Sequence, residues 1–84
     1  MYNKKYILKN IEEFRRHNPI YEDVEGSICY LAYLKIGERG WFLHQKNDYD
    51  WPHRVHTSIV QEVLYDDDRI IVGTENTRFT FEVV

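Results

Sequence analysis

Eighty-four residues make one small domain, spanning 1–84, and 43% of them are hydrophobic. A chain this short buries only about 60–65% of its unfolded surface, which excludes a dinucleotide fold or a two-domain cleft. The formal net charge is −3 and Cys29 is the single cysteine, so no intramolecular disulfide can form. Lack of disulfide staples fits a reducing compartment, and a cytoplasmic location is expected. No run approaches the roughly 20 apolar residues of a membrane span. Met1 to Tyr6 leads into charged residues rather than an apolar run with a cleavage site, so no signal peptide is expected.

Charge is unevenly spread. Residues 1–18 carry Lys4, Lys5, Lys9, Arg15 and Arg16 against Glu12 and Glu13, whereas the remainder carries six basic and twelve acidic side chains. A basic N-terminal segment is joined to an acidic body.

Residues 4–17 read as a helix. Ile7, Leu8, Ile11 and Phe14 form one apolar stripe at helical period. Asn3 suits an N-cap, and Arg15, Arg16 and His17 suit the last turn of a helix dipole. Pro19 ends the segment and pushes Asn18 towards extended backbone. A polar connection follows, from Ile20 to Gly26.

From Ser27 the period becomes two. Cys29 and Leu31 alternate with Ile28, Tyr30 and Ala32, and both faces are largely apolar, as in a strand covered on both sides. Gly37 to Gly40 supplies a turn and Trp41 to Gln45 the return strand. Residues 46–53 form a loop rich in turn formers. Residues 54–65 resume extended structure. Asp66, Asp67 and Asp68 form a hairpin tip, and Arg69 to Gly73 is a β-branched strand. Thr74 to Thr77 turns again, with Asn76 suited to a left-handed conformation. Arg78 to Val84 points Phe79, Phe81 and Val83 inwards. The expected fold is α+β: an N-terminal helix packed on a bent five-stranded antiparallel sheet over about 27–84, an SH3-like small barrel.

The segment His56 to Val63, with Thr57-Ser58-Ile59-Val60, is followed by Thr74-Glu75-Asn76-Thr77-Arg78-Phe79. This pair resembles a pattern in small, mostly uncharacterised β-rich proteins of bacteriophages and other mobile elements, in which a Thr-Ser-x-Val strand precedes a Thr-x-Asn-Ser/Thr-x-aromatic strand. The resemblance covers residues 55–82 and implies a small β-rich module. Ile59 and Phe79 stand where Pro and Tyr are common in that pattern.

Sites for chemistry are few. His53 and His56 are spaced HxxH, but residues three apart on a strand point to opposite faces, and no metal is expected. The Asp66 to Asp68 run lacks the Gly and terminal Glu of a calcium loop. Cys29 lies in an apolar strand where a thiol is usually inert, and Ser58 sits in no nucleophile signature. Neither a cofactor nor an enzymatic activity is expected.

The remaining signal is the loop Asp48, Tyr49, Asp50, Trp51 and His53. Its rings suit an interface, and its acids suit a partner with a basic surface. The expected function is a non-enzymatic protein-binding module, monomeric or homodimeric, with a phage-type inhibitor of a host or defence protein as the reading that the resemblance suggests. The alternative is a nucleic-acid accessory protein using Lys4, Lys5, Lys9, Arg15 and Arg16.

Overall fold

The computed structural model describes residues 4–47 and 49–84. Six strands run in chain order, β1 (Tyr6–Glu13), β2 (Ile28–Tyr33), β3 (Arg39–Gln45), β4 (His53–Asp66), β5 (Arg69–Thr74) and β6 (Thr77–Val83). One helical turn, α1 (Tyr21–Val24), lies between β1 and β2. Each strand pairs antiparallel with its sequence neighbours, and β1 also pairs with β6, so the sheet closes into a barrel. Closure removes the open edges that five strands would expose.

The expected helix over 4–17 does not exist, and with it falls the α+β assignment of a helix on a five-stranded SH3-like sheet. Its residues form β1 instead. Leu8 pairs with Phe81 and Ile11 with Phe79, so a three-residue interval on β1 spans a two-residue interval on β6. The irregularity falls between Leu8 and Asn10, where Lys9 is the extra, exposed residue. A β-bulge therefore resets the phase of alternation and gives a strand the spacing of a helix stripe. Tertiary pairing prevails over local propensity because β1 supplies the strand that closes the ring. Phe14, the last member of the supposed stripe, is 47% exposed beyond the strand. Asn3, the expected cap, lies outside the described residues.

The five C-terminal strands fall close to their expected positions. The longest, β4, does two jobs: His53 to Ile59 pair with β3, and Val60 to Asp66 pair with β5. Irregularities near Thr57 and at Gln61 let it bend between the two partners. Val55, Thr57 and Val60 are accordingly all buried despite their uneven spacing.

An aromatic cluster fills the barrel. Phe42 meets Phe81 edge-on at 5.2 Å and Phe79 at 5.6 Å, centroid to centroid. All three rings are fully buried, with Leu8, Val60 and Val72 around them. Each such side chain contributes about 1.5–3 kcal/mol of transfer free energy. Tyr21 and Val24 of α1 are buried too, and Tyr21 stands edge-on to Phe79. Tyr6 and Tyr21 are thus core residues. Tyr65, in contrast, is 79% exposed on the outer face of β4.

The β1–β2 ladder is short, joining Tyr6 to Cys29 and Ile7 to Ile28. Beyond it, a side chain replaces the missing strand: the Glu25 Oε2 accepts the Ile11 N–H at 2.7 Å. At the β4–β5 turn Asp67 takes a positive φ of 49°, and Arg69 reaches back to the Asp66 carboxylate at 2.7 Å. Asn76 is not left-handed. Its turn is built instead around the Thr74 hydroxyl. No helix among the described residues is long and apolar enough to cross a membrane.

Candidate functional site

Asn47 organises the loop between β3 and β4. Its side-chain oxygen accepts the Tyr49 N–H at 2.8 Å, and its carbonyl accepts the Asp50 N–H at 3.2 Å and the Gln45 amide at 2.9 Å. An Asn that mimics a backbone turn in this way holds the loop without packing it. The rings that follow are left in solvent: Tyr49 is 98% and Trp51 82% exposed. Trp51 therefore closes no end of the barrel. That task falls to α1.

Tyr49, Asp50 and His53 share a hollow of about 600 Å³ with Ile20, Asp23 and His44. Asp50 Oδ2 lies 3.8 Å from His53 Nε2, and Lys46 Nζ lies 3.9 Å from Asp23. His44 and His53 face each other across the β3–β4 ladder, with ring centroids 5.8 Å apart. His44 is buried and its Nδ1 has no hydrogen-bond partner among the described residues. Burial, reinforced by the neighbouring His53, holds the His44 pKa below its usual 6.5. Asp48, the fifth member of the expected loop site, lies outside the described residues.

The HxxH pair comes apart. His53 lines this hollow, whereas His56 lines a second one, on the other side of the segment Asn18 to Val24. Among the described residues no three His, Cys, Asp or Glu side chains converge as a metal site. Cys29 is fully buried, and burial pushes its thiol up to about 11, which keeps it protonated at neutral pH.

The second hollow, about 840 Å³, was not evident from the sequence. One wall consists of the residues of the strand-pair pattern. Thr74 is its hub: its hydroxyl accepts from Ser58 Oγ at 2.9 Å and from the Thr77 N–H at 3.1 Å, and donates to the Thr77 carbonyl at 2.9 Å. The Thr57 hydroxyl accepts the Gly40 N–H at 2.9 Å and donates to the Ser58 carbonyl at 2.7 Å. The Ser58 and Thr74 positions of the pattern thus tie the β4 bend to the β5–β6 turn. The opposite wall is the stretch from Arg15 to Pro19, attached to that turn by the Phe14 N–H donating to the Asn76 carbonyl at 2.9 Å. His17 is held between Glu13 at 2.8 Å and Glu22 at 2.9 Å, and these bonds raise its pKa above 6.5.

This arrangement divides the basic set expected to act together. Arg15 and Arg16 line the second hollow with Arg39 and His56; Lys4, Lys5 and Lys9 do not line it. The sequence reading missed Arg39 and His56 because they lie 23 or more residues away in the chain; the β3–β4 register sets them near each other, and the Phe14–Asn76 bond holds the Arg15 to Pro19 stretch over the same hollow.

No protein-family model, curated protein or solved structure matches the chain.

Proposed function

We propose that the protein is a non-enzymatic protein-binding module that engages its partner through Tyr49 and Trp51. The observation that carries this reading is the near-complete exposure of both rings on a loop whose backbone is fixed by Asn47. A stiff loop presents large rings at low entropic cost, which is what anchors an interface. The hollow beside Tyr49 is bordered by Asp23 and Asp50, whose ion-pair partners among the described residues, Lys46 and His53, stand 3.9 Å and 3.8 Å off and exposed, so a Lys or Arg from a partner with a basic surface can compete for them. The resemblance to phage and mobile-element proteins favours a host or defence protein as that partner.

The test is affinity capture from candidate host extracts with the wild-type protein beside a Tyr49→Ala/Trp51→Ala variant. A protein species held in stoichiometric amount by the wild type and lost by the variant, at unchanged melting temperature, is the expected result. Identical captured sets would overturn the reading.

A further inference from the structure

Six arginines are distributed through the chain. Three are satisfied locally: Arg69 by Asp66, Arg78 by Glu12, and Arg54 by stacking 4.2 Å above the Trp41 ring. The other three, Arg15, Arg16 and Arg39, all line the second hollow. None of them forms an ion pair among the described residues, although the chain carries fourteen carboxylates. Arg39 is steadied by a single bond from its Nε to the Thr57 carbonyl at 3.2 Å. Its terminal nitrogens are not committed by that bond.

Unpaired guanidinium groups gathered in a concave site create a positive potential that walls of lower dielectric strengthen. The acids nearby are accounted for. Glu13 and Glu22 are engaged with His17, and Glu13 also accepts the Asn18 N–H at 2.6 Å. Glu75 is the one carboxylate in the lining, and it is exposed. Three guanidinium groups against one rim carboxylate leave the hollow net positive in a protein that is net negative.

We propose that this hollow is a binding site for a phosphate-bearing nucleotide, either free or as one unit of a single-stranded nucleic acid. Planar guanidinium groups match phosphate oxygens in bidentate fashion. The volume of about 840 Å³ exceeds what a lone phosphate fills and falls within the usual range of small-molecule sites. Beside the arginines stands the exposed side-chain amide of Asn76, which forms no hydrogen bond within the described chain and offers both a donor and an acceptor to a base or sugar edge. The site is independent of the Tyr49–Trp51 loop, since the two hollows share no lining residue.

The test uses fluorescence anisotropy with a labelled single-stranded oligonucleotide and a labelled adenine nucleotide as parallel probes. At least one probe is expected to bind at about 50 mM salt and to weaken as salt rises, with a slope near −2 for three phosphate contacts on a single strand. The Arg15→Gln/Arg16→Gln variant is expected to lose about tenfold or more in affinity. Neither side chain is bonded within the described chain, so an unchanged melting curve accompanies the loss. Glu75→Gln is expected to tighten binding by about two- to fivefold, and Arg69→Gln, on a different turn, to leave it unchanged. Binding of the mononucleotide indicates a free ligand, whereas binding of the oligonucleotide alone indicates a strand; either supports the site. Failure of both probes, an unchanged affinity in the double-arginine variant, or equal affinity for a phosphoserine peptide would overturn it.

Discussion

Leu8 and Ile11, three residues apart, face the same interior because Lys9 between them is bulged out of the β1–β6 ladder. Deleting Lys9 alone leaves Leu8 and Ile11 two residues apart, so both keep the inward face in a regular ladder, whereas deleting Lys9 and Asn10 together turns either Tyr6 and Leu8 or Ile11 towards solvent. The double deletion is expected to lose at least about 3 kcal/mol, the scale of emptying a core position, and the deletion of Lys9 alone much less. Lys9→Ala keeps the bulge and should fall within about 0.5 kcal/mol of wild type. Denaturant melts of the double deletion and of Lys9→Ala check this; equal stability would mean that β1 does not hold the register described.

Gly40 is buried on β3, and a Cβ added there would lie 2.7 Å from the Tyr33 carbonyl oxygen and 3.2 Å from the Thr57 hydroxyl. Backbone cannot yield as a flexible side chain can. Gly40→Ala is expected to cost about 1–3 kcal/mol. For a domain of this size each kcal/mol lowers Tm by roughly 4–8 °C, so thermal melting followed by circular dichroism resolves the effect.

Trp51→Ala should leave stability within about 0.5 kcal/mol of wild type, because the ring buries little surface. Phe42→Ala, by contrast, empties the centre of the barrel and is expected to cost about 3–5 kcal/mol. That is a large share of the roughly 4–13 kcal/mol available to a domain of this length. Comparable melts for the two variants would show that Trp51 packs in solution.

Two histidines give opposite pH dependences. His17, raised above 6.5 by its bonds to Glu22 and Glu13, contributes stability that is full below about pH 6.5 and is lost as the pH rises through its elevated pKa. The effect is small and salt-sensitive because the pair is exposed. His44, depressed by burial, costs stability as the pH falls from about 6.5 through its lowered pKa, since the unfolded chain takes the proton first. Imidazole NMR titration should place His17 above and His44 below 6.5. His17→Gln should remove the alkaline loss, and His44→Phe the acid loss.

Much of the barrel is legible in the sequence. The alternation of Phe79, Phe81 and Val83, the β-branched run at Ile70 to Val72 and the triple-Asp tip mark strands and turns by local rules alone. Tyr49 and Trp51 stand out as loop rings for the same reason, since they lie among Asn, Asp and Pro, but that Trp51 faces solvent rather than closing a barrel end only the fold shows. β1 was not legible, because apolar residues at 7, 8 and 11 satisfy both a helix and a strand with one bulged residue. Only a partner strand some 70 residues away decides between them, and Phe79 and Phe81 provide it.

What the sequence by itself determined is therefore local: five strands, most of their turns, an inert thiol in an apolar strand and a loop carrying two rings. The tertiary structure alone decided that the chain closes into a six-stranded ring, that Tyr6 and Tyr21 are core while Tyr65 is surface, and that Arg15 and Arg16 meet Arg39 and His56 across a hollow. These depend on register between distant strands. Register is set by which packing buries the most apolar surface while satisfying the backbone, a property of the whole chain that no short window of residues contains.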